Sequence, residues 1–434
     1  MERSLNQAQL SDNHTRLVIP RPTVITLCGP SGSGKSTFAA RNFPANWVLS
    51  SDKFRGLVCD DERNQDSSKD AFDLLYWILD ARLRYGRTTI VDSTALTVQV
   101  RRELLQIVHR HDFAILLLLI DAPEKLCRER DAARIDPPPV GAKVVEKQFK
   151  LYQEVENNAQ KEGFDQIIKL NQHEITNLQV EIVPLSLEKP EQCGPFDLIG
   201  DIHGCYDELC ELLKKLGYQE ENGIYRHPLG RRTVFLGDIV NRGPKNLEVL
   251  RLVNAMVKTD NALFIPGNHC YANYRYFQRP ESVDSNSTRN WIERLGTKEY
   301  LEVGELINAL VKNAPPYLLL NQNKLVVAHA GIEEHMIGKL TPRIFNFCLN
   351  GEILITPDGN KQRKNWAENY RGKPLVVYGH TPTTKLFPEF RNNTVNLDQG
   401  CVYGGRLSAM RYPEMEFIQV NVHAAYAERK KRGA

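Results

Sequence analysis

The sequence lacks any C-x-x-C pair among its nine cysteines, and their number is odd. This absence argues against a disulfide scaffold and against a zinc ribbon, and it is typical of a protein kept in a reducing compartment. The sequence also lacks an apolar run long enough to cross a bilayer, since the longest, Ala114–Ile120, suits a buried strand. The segment Met1–Arg16 is polar and has no signal-peptide core. We therefore expect a cytoplasmic protein without a membrane partner.

An excess of charge of one sign is also missing. The formal net charge is +3 at pH 7, so no global electrostatic field draws the chain to nucleic acid. Binding to a polyanion would therefore need a local basic patch. What the sequence does contain is 41% hydrophobic residues over a length of 434, enough for a packed core in each of two or three domains.

Strand-like runs alternate with helical patterns through residues 1–182, which predicts a parallel sheet covered by helices on both faces. A stretch with three prolines and no periodicity, 183–195, predicts a linker. In the second half, 196–434, helices separate the strands less regularly, and this favours a layered α/β sandwich with functional loops at the strand ends. The strands expected in the first half are Val24–Leu27, Trp47–Ser50, Thr88–Val91, Ala114–Ile120 and Ile167–Leu170.

A glycine-rich segment with the sequence G-P-S-G-S-G-K-S-T follows the first apolar run. Backbone N–H groups of such a loop cradle phosphate oxygens, while Lys35 reaches the β- and γ-phosphates and the Ser36 hydroxyl ligates Mg²⁺. The segment therefore predicts a P-loop that binds ATP with Mg²⁺. The residues expected to contact the nucleotide are Gly29, Ser31, Gly32, Ser33, Gly34, Lys35, Ser36 and Thr37.

Charged residues near the ends of the neighbouring strands are candidates for phosphoryl transfer. Asp52 could accept the proton of an attacking hydroxyl while Arg55 holds the acceptor, although both are equally typical of a helix start. Asp92 closes the third strand, where an acid near the metal and the substrate is expected, with a loop cap as the alternative. Arg130 and Arg134 are four residues apart and would share a helix face, either as a lid that clamps the transferred phosphate or as a solvated surface.

The second half places acids, an amide and imidazoles just after apolar strands. Hard divalent metals take such ligands, and a metal pair needs one bridging acid, for which Asp238 is the natural candidate. Arg242 is spaced to grip a substrate phosphate, His269 could protonate the leaving oxygen, and Asp398 could lie at the rim of the site. The expected metal ligands are Asp201, His203, Asp238, Asn268, His329 and His380.

Together these motifs resemble those of bacterial polynucleotide 5′-kinase/3′-phosphatases, the end-healing enzymes of RNA repair. The resemblance implies a P-loop kinase domain followed by a calcineurin-like metallophosphoesterase domain. It also implies that Asp52 is the general base on a 5′-hydroxyl, that Arg55 contacts the acceptor, and that Arg130 and Arg134 belong to a lid. It rests on the P-loop, the stretch Ser50–Asp61, V-D-S-T at 91–94, D-I-H-G-C-Y-D-E-L at 201–209, G-N-H at 267–269, Y-G-H-T-P at 378–382 and the stretch Asn396–Pro413.

The function that this resemblance implies is ATP-dependent phosphorylation of 5′-OH ends and metal-dependent removal of 2′,3′-terminal phosphates. The implied substrate is RNA, with DNA left open, the implied phosphatase metals are Mn²⁺ or Ni²⁺, and a homodimer is favoured. Two alternatives stay open. One is a metallophosphatase of another class, such as a diadenosine tetraphosphatase or a protein phosphatase, with a fused nucleotide-binding regulator. The other is a non-catalytic, nucleotide-sensing RNA-binding protein.

The sequence departs from the family pattern at three places, and each departure leads to a further expectation. The chain ends at Ala434 without the ligase-like domain that members commonly have, so a separate ligase is expected. The lid has Asp136-Pro137-Pro138-Pro139 where another arginine is usual, which predicts a weaker kinase. Related phosphatases have D-R-G and N-H-D or N-H-E, whereas this chain has Asn241-Arg242-Gly243 and Asn268-His269-Cys270. Because two carboxylates are missing, His269 is expected to lose its proton at a lower pH than in relatives.

Overall fold

The computed structural model describes residues 7–135, 139–356, 359 and 361–429. The chain divides into two compact units between Leu185 and Ser186, with the short segment Gly338–Thr341 assigned to the first unit. The residues Asp136–Pro138 of the predicted lid, and the basic tail from Lys430 onward, lie outside the described residues. Within the described part of the chain, no helix combines the length and the apolar character that a membrane crossing needs.

The first unit contains strands β1 (Gln9–Leu10), β2 (Arg16–Arg21), β3 (Thr23–Cys28), β4 (Val48–Ser50), β5 (Thr89–Asp92), β6 (Ala114–Ile120), β7 (Gln166–Leu170) and β8 (Gln179–Pro184). Its helices are α1 (Lys35–Asn42), α2 (Ser51–Cys59), α3 (Ser68–Arg84), α4 (Val98–Arg110), α5 (Glu124–Ala132), α6 (Ala142–Asn158) and α7 (Gln172–Asn177).

The main sheet of this unit has five parallel strands in the order β4-β5-β3-β6-β7. The central strands β3 and β6 are buried along their whole length, as expected for strands covered on both faces. Val24 packs with α3 and α4 on one face, while Ile25 and Leu27 pack with α1 on the other. The predicted parallel sheet with helices on both faces is confirmed. In the sheet, β5 and β4 lie on one side of β3 and β6 and β7 lie on the other, so the loop after β3 stands at the switch in strand order where such sheets bind ligands.

Several elements of the first unit were not predicted. Strands β1, β2 and β8 form a separate three-stranded sheet, and α2 occupies the segment after β4. The expected linker 183–195 is also more structured than its prolines suggest. Its first residues complete β8, and Glu188 and Lys189 form a strand that pairs in parallel with Leu319 and Leu320. That pairing joins segments far apart in sequence, so the local pattern gives no sign of it.

The second unit contains strands β9 (Glu188–Lys189), β10 (Phe196–Ile199), β11 (Gln219–Glu221), β12 (Ile224–Arg226), β13 (Arg232–Phe235), β14 (Ala262–Phe264), β15 (Tyr317–Leu320), β16 (Leu325–Ala328), β17 (Ile353–Ile355), β18 (Lys361–Arg363), β19 (Leu375–Tyr378), β20 (Phe390–Arg391), β21 (Thr394–Asn396), β22 (Asp398–Gln399), β23 (Arg406–Tyr412) and β24 (Glu416–Asn421). Its helices are α8 (Tyr206–Leu216), α9 (Asn246–Lys258), α10 (Asn268–Gln278), α11 (Asn286–Ile292), α12 (Thr297–Val311) and α13 (Pro342–Asn350).

Two six-stranded sheets form a sandwich in this unit. One sheet has the order β14-β13-β10-β23, with β22 and β24 both paired to β23, and the other has the order β20-β21-β19-β16-β15-β9. Apolar side chains of both sheets, such as Leu198 and Val234 from one and Val327 and Val377 from the other, fill the space between them. Helices α8, α9, α10 and α12 pack on the outer face of the first sheet. The predicted α/β sandwich is confirmed.

Candidate active sites

The parallel strands of the sandwich bring distant polar residues to common edges. β10, β13 and β14 run in parallel in one sheet, and β16, β19 and β21 run in parallel in the other. The C-terminal ends of parallel strands lie at one edge, where loops converge. The residues that follow these ends are Asp201 and His203 after β10, Asp238 after β13, Asn268 and His269 after β14, His329 after β16, His380 after β19 and Asp398 after β21.

Side chains from several of these loops meet at the carboxylate of Asp238. Its Oδ2 lies 3.3 Å from His329 Nε2 and 3.7 Å from His203 Nε2. Its Oδ1 accepts a hydrogen bond of 2.8 Å from the backbone N–H of His269. Two imidazole nitrogens on one carboxylate oxygen form the arrangement that a bridging ligand of two metals requires.

Two groups of donor atoms share Asp238. One consists of His203, Asp238 and His269, the other of Asp238, His329 and His380, and within each group the donor atoms lie within 4.8 Å of one another. The first group thus includes His269, which the sequence predicted as a proton donor and not as a ligand. Borderline divalent cations such as Mn²⁺ and Ni²⁺ accept this mixture of imidazole and carboxylate ligands.

The other two predicted ligands stand beside these groups. Asn268 Oδ1 lies 3.2 Å from His329 Nε2. Asp201 accepts a hydrogen bond of 3.1 Å from the backbone N–H of His380 and lies 3.9 Å from His329 Nδ1. Asp201 and His380 are 179 positions apart, so the fold assembles residues that no local pattern connects. All six predicted ligands therefore gather in one place.

Hydrogen bonds to the backbone aim two of the imidazoles at the site. His203 donates from Nδ1 to the carbonyl of Val240 at 2.9 Å, and His329 donates from Nδ1 to the carbonyl of Leu236 at 2.9 Å. Each bond turns the Nε2 atom toward Asp238, where it could bind a cation that displaces its present neighbours. His203, Asp238 and His380 adopt left-handed backbone angles, with φ values of 48°, 41° and 67°. Such angles in residues other than glycine cost free energy and are concentrated at functional sites.

Burial and neighbouring charges determine the protonation states of His203, His380 and Asp238. Burial lowers the pKa of His203 and of His380 well below the usual value, so both are neutral and able to bind a cation at pH 7. Burial opposes the ionisation of Asp238, but the neighbouring His329 and His269 hold its pKa well below the usual range. The central carboxylate is therefore charged at neutral pH.

In contrast, the pKa values of Asp201 and His329 are raised. Burial, with the nearby carboxylate of Asp398, raises the pKa of Asp201 well above its usual value. Burial alone would lower the pKa of His329, but Asp238 and Asp201 raise it to about 9. Carboxylates crowded in this way, beside imidazoles, form a site whose negative charges a divalent cation would neutralise. The residues present therefore fit a pair of metal ions.

Arg242, Asp398 and an unpredicted arginine complete the surroundings of this cluster. Arg242 Nη1 lies 2.6 Å from His203 Nε2, and its guanidinium stacks 5.4 Å from the centre of the Tyr403 ring. Asp398 was expected at the rim, but it is buried beside Asp201 because its Oδ1 accepts the N–H of Gly400 in its own tight turn. Arg363, on the hairpin strand β18, contributes a positive charge next to His380. No motif marks Arg363 in the sequence.

Asn241 fixes the ring of His269 through a network of amides. The indole N–H of Trp291, which can only donate, lies 2.5 Å from Asn241 Oδ1, and Asn273 Nδ2 donates to the same oxygen at 3.0 Å. The amide nitrogen of Asn241 must therefore face His269 Nδ1, at 2.8 Å. His269 Nδ1 accepts this bond, so the ring proton lies on Nε2. Burial lowers the pKa of His269 to about 4, which leaves the ring neutral at pH 7.

Cys270 takes the place of the carboxylate that the family pattern described above leads us to expect. It is buried, and burial raises the pKa of its thiol to about 12. The side chain is therefore neutral and brings no charge to His269.

In the first unit, the glycine-rich segment forms a loop between β3 and α1. Lys35 Nζ donates to the carbonyls of Gly29 and Pro30, both at 2.8 Å. Gly32 packs so closely on α5 that a Cβ at this position would lie 2.3 Å from the carbonyl oxygen of Cys127. The backbone N–H of Ser31 donates to Gln148 Oε1 at 2.7 Å, a contact that the sequence did not predict. The remaining predicted nucleotide contacts lie in this loop and in the first turn of α1.

The predicted acids gather beside Lys35. Asp92, at the end of β5, is buried and accepts a hydrogen bond from Ser36. Burial lowers the pKa of Lys35, while the charges of Asp92 and Asp52 oppose this effect. Asp52 lies in the first turn of α2 and pairs with Arg55, and Ser50, not Asp52, is the N-cap residue. This arrangement suits a base near a nucleotide better than a helix cap.

The two lid arginines do not share a helix face. α5 ends at Ala132, because Asp131 accepts hydrogen bonds from the backbone of Val140 and Gly141 and the chain turns away. Arg134 therefore lies beyond the helix, and the expected helical spacing is wrong. Arg130 Nη1 donates to Gln172 Oε1 at 2.6 Å, while Arg134 contributes positive charge at Lys35. Both arginines still flank the P-loop.

Family profiles match both units of the chain. An AAA domain profile matches residues 24–156, and a calcineurin-like phosphoesterase profile matches residues 194–418. The first match covers the P-loop and most of the parallel sheet, and the second covers the strand ends that carry the metal donors. The chain thus combines an AAA-type, kinase-like P-loop domain with a calcineurin-like phosphoesterase domain, a class that uses divalent metals.

Individual relatives match about half of the chain. The asymmetrical bis(5′-nucleosyl)-tetraphosphatase of Halalkalibacterium halodurans is 46% identical over 230 residues, which make up 52% of this chain and 93% of that protein. Its counterpart in Bacillus subtilis is 43% identical over 242 residues, or 55% of this chain and 98% of that protein. A solved structure, the cold-active protein-tyrosine phosphatase of a psychrophilic Shewanella, matches with a TM-score of 0.33 at 18% identity and covers 56% of this chain and 83% of that chain.

We expect Asp52→Asn to abolish most phosphoryl transfer by the first unit. The amide keeps the size of the carboxylate but cannot accept a proton, and loss of a general base costs about 10²–10⁴-fold in rate. The measurement is transfer from γ-labelled ATP to a 5′-OH oligonucleotide, with ATP affinity expected to stay unchanged. Asp61→Asn, which breaks a nearby exposed pair with Arg63, is the matched control. Near wild-type turnover of Asp52→Asn would return this residue to a structural role.

We expect Asn241→Asp to move the basic limb of the phosphatase pH–rate profile to higher pH. A carboxylate would accept a hydrogen bond from the protonated Nδ1–H of His269 and raise the pKa of the ring, so the protonated form would persist to higher pH. Leaving-group protonation matters for a ribose 3′-oxygen and little for an aryl oxygen. Profiles for a 3′-phosphate oligonucleotide and for p-nitrophenyl phosphate, measured on both proteins, provide the comparison. Coincident basic limbs for the oligonucleotide would show that another group controls the step.

Proposed function

The chain belongs to the calcineurin-like phosphoesterase family through residues 194–418, and from this premise we propose that it is a bifunctional end-healing enzyme. In this proposal the first unit phosphorylates the 5′-OH end of a polynucleotide and the second removes a 2′,3′-terminal phosphate. One observation carries the proposal. A single chain combines a P-loop with Lys35, Asp52 and Asp92 gathered around it and a cluster of metal donors around Asp238.

The proposed kinase reaction depends on positioning and proton transfer. The P-loop amides bind the phosphates of ATP, and Lys35 exchanges the carbonyls of Gly29 and Pro30 for the β- and γ-phosphates. Asp52 takes the proton of the attacking 5′-hydroxyl, and Arg55 orients Asp52 and contacts the acceptor. Arg130 and Arg134 neutralise charge on the transferred group. The Mg²⁺ bound with ATP would be held by Ser36, with Asp92 beside it.

The proposed phosphatase reaction uses the cluster around Asp238. Two divalent cations, for which we propose Mn²⁺ or Ni²⁺, would supply Lewis-acid stabilisation and a nucleophilic water. The residues that would hold them are Asp201, His203, Asp238, Asn268, His329 and His380. Arg242 binds an oxygen of the substrate phosphate. The imidazolium form of His269, a minor species at pH 7 because burial lowers the pKa of the ring to about 4, donates its Nε2 proton to the leaving 3′-oxygen and is left as the neutral ring that Asn241 holds.

We extend the proposal to the setting in which the enzyme works. The substrate class is broken RNA, with DNA ends as an alternative, and a separate ligase would join the healed ends. The chain would act in the cytoplasm, as a homodimer. The nine free cysteines, with none paired within the described residues, are consistent with a reducing compartment.

A second candidate function is the hydrolysis of dinucleoside tetraphosphates. The relatives named above are bis(5′-nucleosyl)-tetraphosphatases, and the match extends over 93% of one of them. It covers only 52% of this chain, however, so about half of the chain has no counterpart in that match. Phosphate release from a 3′-phosphate oligonucleotide, measured beside cleavage of diadenosine tetraphosphate under the same conditions, separates the two candidates.

We expect the two activities to be separable by single substitutions. Lys35→Ala should abolish 5′-phosphorylation and leave phosphate release intact, since it removes the contact to the β- and γ-phosphates. Asp238→Ala should do the reverse, because it removes the ligand that both cations would share. The measurements are phosphoryl transfer from γ-labelled ATP and phosphate release from a 3′-phosphate oligonucleotide, and each variant is the control for the other. Loss of both activities in either folded variant would contradict the proposal.

A further inference from the structure

A groove of about 920 Å³ opens beside the metal-donor cluster of the second unit. Its lining is continuous with the cluster along the chain. Ala330 follows His329, and Thr381 follows His380, while Asn396 and Gln399 stand on either side of Asp398. A substrate whose phosphate lies at the cluster would therefore extend into this groove.

Two exposed aromatic side chains line the groove. Phe387 is 61% exposed and Phe390, the first residue of β20, is 44% exposed, and both lie in the chain between His380 and β21. Neighbours hold both rings in place, since the Arg406 guanidinium stacks 4.7 Å from the centre of the Phe387 ring and Phe417 lies 5.5 Å from Phe390, centre to centre. Held aromatic rings that stay open to solvent next to a catalytic site suit the stacking of nucleobases.

Cationic side chains also line the groove. Its lining includes Arg363, Lys364, Lys385 and Arg391 but only one acid, Glu389. Acidic partners hold three of these cations. Glu389 pairs with Lys385, Glu368 pairs with Arg391 at 2.8 Å, and Lys364 pairs with Glu333 at 2.8 Å and with Glu352 at 2.9 Å. In a chain whose net charge is only +3, the groove thus offers four cations to a polyanion, whose phosphates would compete with the carboxylates that hold three of them.

An unpaired acceptor gives an independent sign of a ligand. Gln399 lines the groove but is 4% exposed, and its Nε2 donates to the carbonyl of Asn396 at 3.0 Å. Its Oε1 has no hydrogen-bond partner among the residues that the structure describes. A buried acceptor without a donor is costly, so a donor is expected there, either from a water molecule or from a bound molecule that replaces it. A ribose hydroxyl or an exocyclic amine of a base has this chemistry.

We propose that this groove binds the single-stranded nucleotides that precede a 3′-phosphorylated end. Bases stack on Phe387 and Phe390, while Lys385 and Arg391 contact the phosphates between them. These four residues come from the single segment 385–391, so two rings and two cations reach the groove from one part of the chain. The inference rests on the proposed function and adds where the substrate binds and which residues favour a chain over a single nucleotide.

The test measures how phosphate release depends on substrate length. In the wild-type protein, kcat/KM should rise from a 3′-phosphorylated mononucleotide to a trinucleotide and an octanucleotide. In a Phe387→Ala, Phe390→Ala variant, KM for the longer substrates should rise at least about fivefold, since each stacked base is lost. Its kcat should stay nearly unchanged, and so should its hydrolysis of p-nitrophenyl phosphate, which has no base to stack. The latter also reports that the variant is folded and active.

A matched control is Tyr300→Ala, which removes another exposed ring of the second unit. Tyr300 is 36% exposed and leans on Phe277 with ring centres 5.0 Å apart, as Phe390 leans on Phe417, but it does not line the groove. This variant should keep the wild-type dependence on length. Restoration of a low KM by Phe390→Trp, placed in the Phe387→Ala background, would support stacking as the source of the effect.

The outcomes separate this inference from the proposed function. Phosphate release from oligonucleotides without any dependence on length, or with a dependence that the double variant retains, would overturn the groove assignment and leave the proposed function standing. Hydrolysis of p-nitrophenyl phosphate without release from any 3′-phosphate oligonucleotide would overturn the proposed function itself. A rise in KM confined to diadenosine tetraphosphate would overturn the polynucleotide as occupant.

Discussion

The second unit is arranged around one buried carboxylate, that of Asp238. The backbone bends into a left-handed conformation at this residue, with φ of 41°, and its carbonyl accepts the N–H of His203 at 2.8 Å. Its Oδ1 approaches the next loop so closely that a Cβ on Gly267 would lie 2.1 Å away. Loops from both sheets must therefore keep their positions for the carboxylate to face His203 and His329 together. The packed sandwich behind the loops supplies the rigidity that this strained arrangement needs.

The charges around Asp238 give the cluster its chemistry. His203 and His380 stay neutral because burial lowers their pKa, while Asp201 and His329 carry raised pKa values in a small buried volume. Buried acidic side chains this close together are poorly stabilised by water, whereas bound cations stabilise their charges directly. The P-loop of the first unit obeys the same logic with the opposite sign, because its backbone N–H groups and Lys35 form a site for phosphate anions. The first unit thus offers positive charge to phosphate groups, and the second offers negative charge to divalent cations.

The sequence was sufficient to predict features that have local signals. Apolar runs such as Ala114–Ile120 became strands with the expected limits, and the metal donors follow strands whose carboxyl ends meet. Features that depend on long-range pairing were missed, including β9, the position of Arg134 beyond α5, and Arg363 beside His380. The contact between Trp291 and Asn241 spans 50 positions, and no spacing rule connects them. Asn268 and His269 were expected in a loop but begin α10, because the helix starts where the strand-end loop closes.

We expect the cluster around Asp238 to bind two divalent cations that share its carboxylate. Calorimetric titration of Mn²⁺ into the metal-stripped full chain, without nucleotide, tests it most directly and does not depend on the substrate. We predict binding of two ions per wild-type chain and loss of both in Asp238→Ala, with the binding of two ions retained in Lys35→Ala. A single ion bound to the wild-type chain, or an Asp238→Ala variant that still binds two, would contradict the claim.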